Sequence, residues 1–127
     1  MISGPLPPPL AGIRVLDLSA VYSGPMAAAL LADQGADVIK VESPGGDICR
    51  GIGPVKGDIS ATFVAMNRGK RSIVLDLKKK AGQDVLRDLI ARTDVLMENF
   101  RPGVMARTTC PSSSHPGRRC ATCCCQR

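Results

Sequence analysis

Aromatic side chains are almost missing from this chain: it has two Phe, one Tyr and no Trp in 127 residues. A platform for stacking nucleic-acid bases needs several aromatics, so no nucleic-acid partner is expected. No apolar run approaches the roughly 18 residues that a membrane helix requires, and no membrane partner is expected either. The opening MISGPLPPPL has neither a basic start nor a long apolar stretch, so it is not a signal peptide. The chain therefore reads as cytoplasmic, with the mitochondrial matrix as the alternative in a eukaryotic cell. The turn after the first predicted strand lacks the GxGxxG pattern of nicotinamide-dependent enzymes. Acidic residues are absent from residues 108–127, where Arg118, Arg119 and Arg127 carry half of the net charge of +6. The remainder is only mildly basic, which suits a phosphate-bearing small molecule better than a DNA backbone.

What is present is an ordinary globular composition, 44% hydrophobic and 22% charged, in a chain long enough for one domain with a core. Residues 10–44, LAGIRVLDLSAVYSGPMAAALLADQGADVIKVESP, hold the strongest local pattern. IRVLDL (13–18) is a short apolar run bounded by Gly12 and Ser19, as in a buried strand. Ser23 or Gly24 can cap the helix that follows, and Pro25 suits its first turn, where no amide donor is needed. Residues 26–32 are apolar on nearly every side, which predicts a buried helix ending before Gly35. Residues 36–41 read as a second strand. A strand–helix–strand unit this compact implies parallel strands with a right-handed crossover.

The prolines of residues 1–9 make a stiff lead-in. Residues 45–60, with five glycines and one proline, read as an irregular loop able to approach a ligand closely. Residues 61–67 predict a short helix, 68–71 a basic turn, and SIVLDL (72–77) a third strand. Residues 80–92 predict a helix whose apolar face is Val85, Leu86, Leu89 and Ile90. Its exposed side offers Asp84 with Arg87 and Asp88 with Arg92. VLMENF (95–100) is a fourth strand, after which Arg101-Pro102-Gly103 turns the chain away. The order predicts an α/β fold: a Rossmann-like parallel sheet, incomplete, with about four strands and two main helices.

Residues 108–127, TTCPSSSHPGRRCATCCCQR, hold five of the six cysteines and no Leu, Ile, Val or Phe. They show no helix or strand pattern and predict a disordered or non-native tail. Cys120 and Cys123 with Cys110 and His115 offer four zinc-ligand types. Yet Cys123, Cys124 and Cys125 are consecutive and no second CxxC supports a finger or ribbon, so no metal is expected.

In open parallel sheets, ligands bind outside the carboxyl ends of the strands. Those ends should supply Tyr22 and Ser23, Ser43, Asp76 and Lys78, and Asn99 with Arg101. The helix start near Ser23 offers amides to an anion. Lys70, Arg71, Lys78, Arg101 and Arg107 offer cations to phosphates. Ordinary polar loop ends are the alternative reading of the same residues.

Five motifs, LAGIRVLDLS, SGP, LLADQGADVIKVESPGGD, NRGKRSIVLDLK and DVLMENFRPGVMAR, closely resemble the start of family III CoA transferases. That family includes formyl-CoA and carnitine-type CoA transferases and alpha-methylacyl-CoA racemase. The resemblance covers about residues 5–107, most of the chain. It implies a large domain that binds coenzyme A, acyl-CoA or CoA as the small-molecule partner, and an interlocked homodimer. By motif, Tyr22 and Ser23 would line the CoA site. Ser43 stands where the family often has a basic residue. Leu75, Asp76 and Lys78 would lie along the adenosine portion. Asn99, Phe100 and Arg101 would border the same groove, and Arg107 matches a recurrent cofactor-contacting arginine.

The resemblance implies acyl transfer through a nucleophilic aspartate, whose carboxylate attacks the thioester. That aspartate belongs well beyond the fourth strand, and nothing after Asp94 in this chain is an Asp. No catalytic residue is therefore assigned. Asp17, Asp37 and Asp76 read as structural, and His115 resembles no family motif. The reading is a CoA-transferase family protein, cut before its catalytic Asp and inactive alone. The alternatives are a non-catalytic module that pairs with a full-length relative, and a nicotinamide-dependent fragment suggested by Glu42 at the end of the second strand. A four-strand piece should leave apolar sheet and helix faces uncovered, which predicts low solubility or loose packing.

Overall fold

The strand–helix–strand unit closes as its apolar pattern requires. In chain order the elements are β1 (Arg14–Asp17), α1 (Ser23–Asp33), β2 (Asp37–Glu42), a 3-10 turn (Ile48–Gly51), β3 (Val55–Lys56), β4 (Ile59–Ser60), α2 (Ala61–Asn67), β5 (Arg71–Val74), α3 (Lys80–Ala91), β6 (Val95–Glu98) and β7 (Arg119–Thr122). The computed structural model describes residues 6–105 and the strand 119–122. The main sheet has the order β5-β2-β1-β6-β7, and every pair in it is parallel. β1 is central, with Leu16 opposite Ile39 of β2 on one side and Leu96 of β6 on the other.

Alternation along the strands divides the core between the two faces. Val15, Val38 and Met97 pack on Ala28 of α1, while Leu16, Leu18 and Val41 pack on Leu86 and Ile90 of α3. Small residues let α1 lie close to the sheet, and Ala28 and Ala29 are fully buried. The helix begins at Ser23 with Tyr22 as its N-cap and no side-chain cap, so neither Ser23 nor Gly24 caps it. Pro25 still falls in the first turn, where its missing donor costs nothing. Gly35, with φ of 94°, turns the chain out of α1 and into β2.

Three further details depart from the sequence reading. Residues 45–60 are not wholly irregular: Asp47 caps the 3-10 turn by accepting from the Cys49 amide, and β3 and β4 form a hairpin around Gly57 and Asp58. Val85 of α3 is 43% exposed, because only Leu86 and Ile90, with Leu89 partly buried, reach the sheet. Within the tail, Arg119–Thr122 pairs with β6 from Val95 to Glu98. Edge pairing uses backbone groups alone, so a segment with no apolar pattern can take part in it. The rest of the tail, including the cysteine and His115 ligand set, lies outside the described residues. Among the described residues no helix is long and apolar enough to cross a membrane.

Candidate functional site

β1 ends in a carboxylate with no exposed surface. Asp17 accepts from the Ser19 amide at 2.9 Å and from the Ser19 hydroxyl, and its Oδ2 lies 2.8 Å from Lys70 Nζ. Lys70 also donates to Pro25 O at 2.8 Å and to Asn67 Oδ1 at 2.9 Å. Burial pushes the Lys70 ammonium down from its usual range, and the Asp17 charge opposes that shift. Three acceptors offset the cost of desolvating the cation. Lys70 is therefore committed inside the protein and cannot serve as the phosphate partner expected of it. Arg71 cannot serve either. It opens β5 at the amino end of the sheet and binds Asp37 through two contacts, of 3.0 and 2.7 Å.

The turn that follows β1 is held by side chains from three other elements. Ser19 O accepts from Lys40 Nζ at 2.9 Å. The Ala20 amide donates to Asn99 Oδ1 at 2.9 Å, while Ala20 O accepts from Asn99 Nδ2 at 2.8 Å. Val21 O accepts from Cys49 Sγ at 3.0 Å. Val21 has φ of 72°, a left-handed conformation that a β-branched residue adopts only under constraint. Such strain costs on the order of 1–3 kcal/mol and persists where the surroundings over-determine it.

The carboxyl end of β2 carries two buried ion pairs. Lys40 Nζ lies 2.8 Å from Asp47 Oδ2, and both side chains are 2% exposed. Oδ2 has no aligned hydrogen bond, so the contact is a direct ion pair; the ammonium's hydrogen bond goes to Ser19 O. Glu42 takes the Arg50 fork at 2.8 Å on both oxygens, together with the Ser72 hydroxyl at 2.6 Å and the Asp47 amide at 3.2 Å. The Arg50 guanidinium, helped by Ser72, holds the Glu42 carboxyl down at about 2 against the opposing effect of burial. Glu42 in turn raises Arg50. With both oxygens occupied, Glu42 has no free lone pair aimed at a ribose hydroxyl, which removes the basis of the nicotinamide reading. Cys49 is fully buried, and burial, with Asp47 beside it, pushes its thiol up and keeps it neutral.

These ends enclose a cleft of about 570 Å³ at the carboxyl edge of β1, β2 and β5. Leu18, Val41, Leu75, Leu77 and Phe100 give it an apolar interior. Ser43 to Asp47 form one wall, where the Gly46 amide donates to Ser43 O at 2.8 Å and closes a tight turn. Asp76 and Lys78 form the opposite rim. Lys78 is exposed and Asp76 accepts from its amide at 3.1 Å, so this carboxylate shapes the approach to α3.

The cleft thus brings together Ser43, Leu75, Asp76, Lys78 and Phe100 of the residues named from sequence. Tyr22 and Ser23 are exposed at the start of α1 and do not line it. Asn99 stands behind the lining, bound to Ala20, and Arg101 is exposed in the turn after β6. Arg107 lies outside the described residues. Lys40, Glu42 and Asp47 line the cleft and were not singled out as its residues. The available signal was Lys40 and Glu42 standing in a strand, DVIKVE, that should be buried on both faces. A charge there needs a partner, and Asp47 and Arg50 are the nearest ones of opposite sign.

A parallel sheet wrapped by helices, with a cleft at its carboxyl edge and no glycine-rich fingerprint, defines an α/β domain with a candidate ligand cleft, outside the dinucleotide-fingerprint type. The sequence profile of CoA-transferase family III matches residues 10–113, and the chain belongs to that family. The match runs past Arg107 into the tail. Acetyl-CoA:oxalate CoA-transferase of Acetobacter aceti is 48% identical over 100 residues, covering 78% of this chain and 26% of that protein. Formyl-CoA:oxalate CoA-transferase of Bradyrhizobium diazoefficiens is 51% identical over 104 residues, covering 80% and 24%. Among solved structures, a CAIB/BAIF family protein from Brucella suis superposes with a TM-score of 0.77 at 42% identity, over 81% of this chain and 29% of that one. The Mycobacterium tuberculosis protein Rv3272 superposes with a TM-score of 0.81 at 39% identity, over 90% and 33%. The chain spans about a quarter of the length of the curated relatives it matches.

Proposed function

We propose that the cleft at the carboxyl ends of β1, β2 and β5 holds the CoA portion of a CoA thioester, and that this chain alone does not transfer the acyl group. The reading rests above all on one observation. Ser43, Leu75, Lys78 and Phe100, from three separate segments, converge on one cleft of about 570 Å³. That volume suits a ligand of nucleotide size, with apolar walls for a flat ring and a few polar groups for orientation. Lys78 offers its exposed ammonium to a phosphate at the rim. Membership of CoA-transferase family III supports the ligand class.

Inactivity of the chain alone is supported by the carboxylates themselves. Of the carboxylates that line the cleft, Glu42 and Asp47 are buried in ion pairs, and Asp76 on the rim accepts from the Lys78 amide and faces Lys79 at 3.7 Å; no Asp follows Asp94 in this sequence. A carboxylate that must attack a thioester needs a free oxygen within reach of it. Titration calorimetry with CoA, acetyl-CoA and NADH, joined to an assay of acyl transfer to oxalate, tests both parts. The reading expects saturable binding of CoA and acetyl-CoA, none of NADH, and no turnover. Turnover by the purified chain would sink the second part, and NADH binding without CoA binding would sink the first.

A second reading, a module that pairs with a longer relative, draws on the side of α1. Tyr22, Met26 and Leu30 recur at four-residue spacing and are 46%, 38% and 48% exposed. Such a stripe is an apolar face with no cover among the described residues. Co-expression with a full-length relative, followed by size-exclusion chromatography, separates the readings: co-elution favours the module.

A further inference from the structure

The Asn99 carboxamide is wholly engaged by one residue. Its Oδ1 accepts from the Ala20 amide at 2.9 Å and its Nδ2 donates to Ala20 O at 2.8 Å, across 79 positions of sequence. Ala20 lines the cleft beside Ser19, and Asn99 does not. The next residue, Val21, is the non-glycine residue with positive φ among those described. At Gly24, the second residue of α1, a Cβ would sit 2.3 Å from Ser19 Cβ and 3.7 Å from Asn99 Cγ, so helix, turn and Asn99 are in tight register. The two peptide units that flank Ala20 are each held through one polar group, the amide of the first and the carbonyl of the second, so neither can swing freely to relieve the strained residue that follows.

We propose that Asn99 is a positioning residue: it locks the turn from Ser19 to Tyr22 in its strained form and so sets one wall of the cleft, without itself touching the ligand. The geometry accounts for the choice of side chain. A primary carboxamide presents an acceptor and a donor side by side, matched to the donor and acceptor of one residue's backbone. Aspartate would keep the contact to the Ala20 amide and lose the donor to Ala20 O. Serine has neither the reach nor the paired groups. The clamp is a statement about the free protein; only its effect on CoA binding rests on the reading of the cleft given above.

The test is amide hydrogen exchange on the full 127-residue chain, without ligand, for the wild type, Asn99→Ala and Asn99→Asp. Loss of two hydrogen bonds should speed exchange at Ala20 and Val21 about tenfold or more in Asn99→Ala, with Leu16 and Val38 in the sheet unchanged. Asn99→Asp should fall between the two, and it replaces the alanine variant if that one does not fold. With CoA added, its dissociation constant should rise about tenfold in Asn99→Ala. The Asn99 carboxamide protons should stay protected and show no Overhauser contact to CoA. Unchanged exchange at Ala20 overturns the proposal. Equal acceleration in β1 and β2 also overturns it, since the residue would then be a general stabiliser. Contact of the carboxamide with bound CoA, or unchanged CoA affinity in a variant whose turn has loosened, overturns the positioning role. Failure of the wild type to bind CoA would instead sink the cleft reading, while the exchange rates still decide whether Asn99 holds the turn.

Discussion

Lys40 and Asp47 form an ion pair at 2.8 Å with each side chain only 2% exposed, and the pair ties the wall of the cleft to the sheet beneath it. Removing one partner strands a buried charge. Asp47→Ala should therefore cost about 3–5 kcal/mol of stability, and Lys40→Met a similar amount. The double variant Lys40→Met/Asp47→Leu should cost clearly less than the sum. Urea melts of the three variants give all the values, and additive losses would show that the two charges do not depend on each other.

Acid should weaken the fold through Glu42. Its carboxyl lies near 2 in the folded state, held there chiefly by Arg50, against an ordinary value of 4.5. A lowered carboxyl contributes stability that is fully present above the unfolded value and is lost as pH falls through the folded one. The window is therefore pH 4.5 down to about 2, and the loss is on the order of 3 kcal/mol. Glu42→Gln should be less stable at pH 7 and show a flatter acid limb in urea melts across that range. An acid limb of unchanged slope would assign the effect elsewhere.

Gly24 has no room for a side chain. A Cβ there would sit 2.3 Å from Ser19 Cβ and 2.5 Å from Ser19 Oγ. Gly24→Ala should cost about 2 kcal/mol or more, even though alanine favours helices. Gly51→Ala is the control, since a Cβ at Gly51 meets nothing within 4 Å. Melting temperatures that fall equally in both variants would contradict the steric account.

Val21 should respond in the opposite direction. It holds φ of 72° while 39% exposed, so it carries strain with little packing in return. Val21→Gly should raise stability by about 1 kcal/mol. A loss of stability on denaturant titration would mean that the side chain contributes more than its exposure indicates.

Lys78 is an exposed cation at the rim of the cleft, and its amide rather than its ammonium makes the local contact to Asp76. Lys78→Ala should weaken CoA binding by about three- to tenfold at low salt and less at high salt, with no change in melting temperature. Affinity that is insensitive to both the substitution and the salt would remove Lys78 from the site.

Much of this architecture was legible in the chain itself. The four strands rest on apolar runs bounded by Gly, Ser or Pro, and residues 61–67 form the short helix read for them. Five residues of the cleft lining, Ser43, Leu75, Asp76, Lys78 and Phe100, were legible too, but largely because their motifs resemble a family; Leu75 and Phe100 announce no chemistry by type. The buried pairs were not legible. Lys70 and Asp17 are 53 positions apart, and nothing local says which exposed-looking cation turns inward. Lys40 and Asp47 are close in sequence, yet their contact depends on the Ser43–Gly46 turn folding Asp47 back over β2. The strand at Arg119–Thr122 left no trace because its pairing is made by backbone groups.

The central place of β1 has a consequence for how the chain comes into being. β1 is bordered by β2, which follows directly, and by β6, whose neighbour Asp94 receives the Arg14 amide across 80 residues. During synthesis one side of β1 is covered early and the other stays bare until most of the chain has been made. Closing so long a loop is slow, and the waiting edge of Val15 and Leu16 is an adhesive surface in the meantime. The nascent polypeptide therefore carries its greatest risk of aggregation in the interval before residue 95 emerges, whatever the finished protein tolerates.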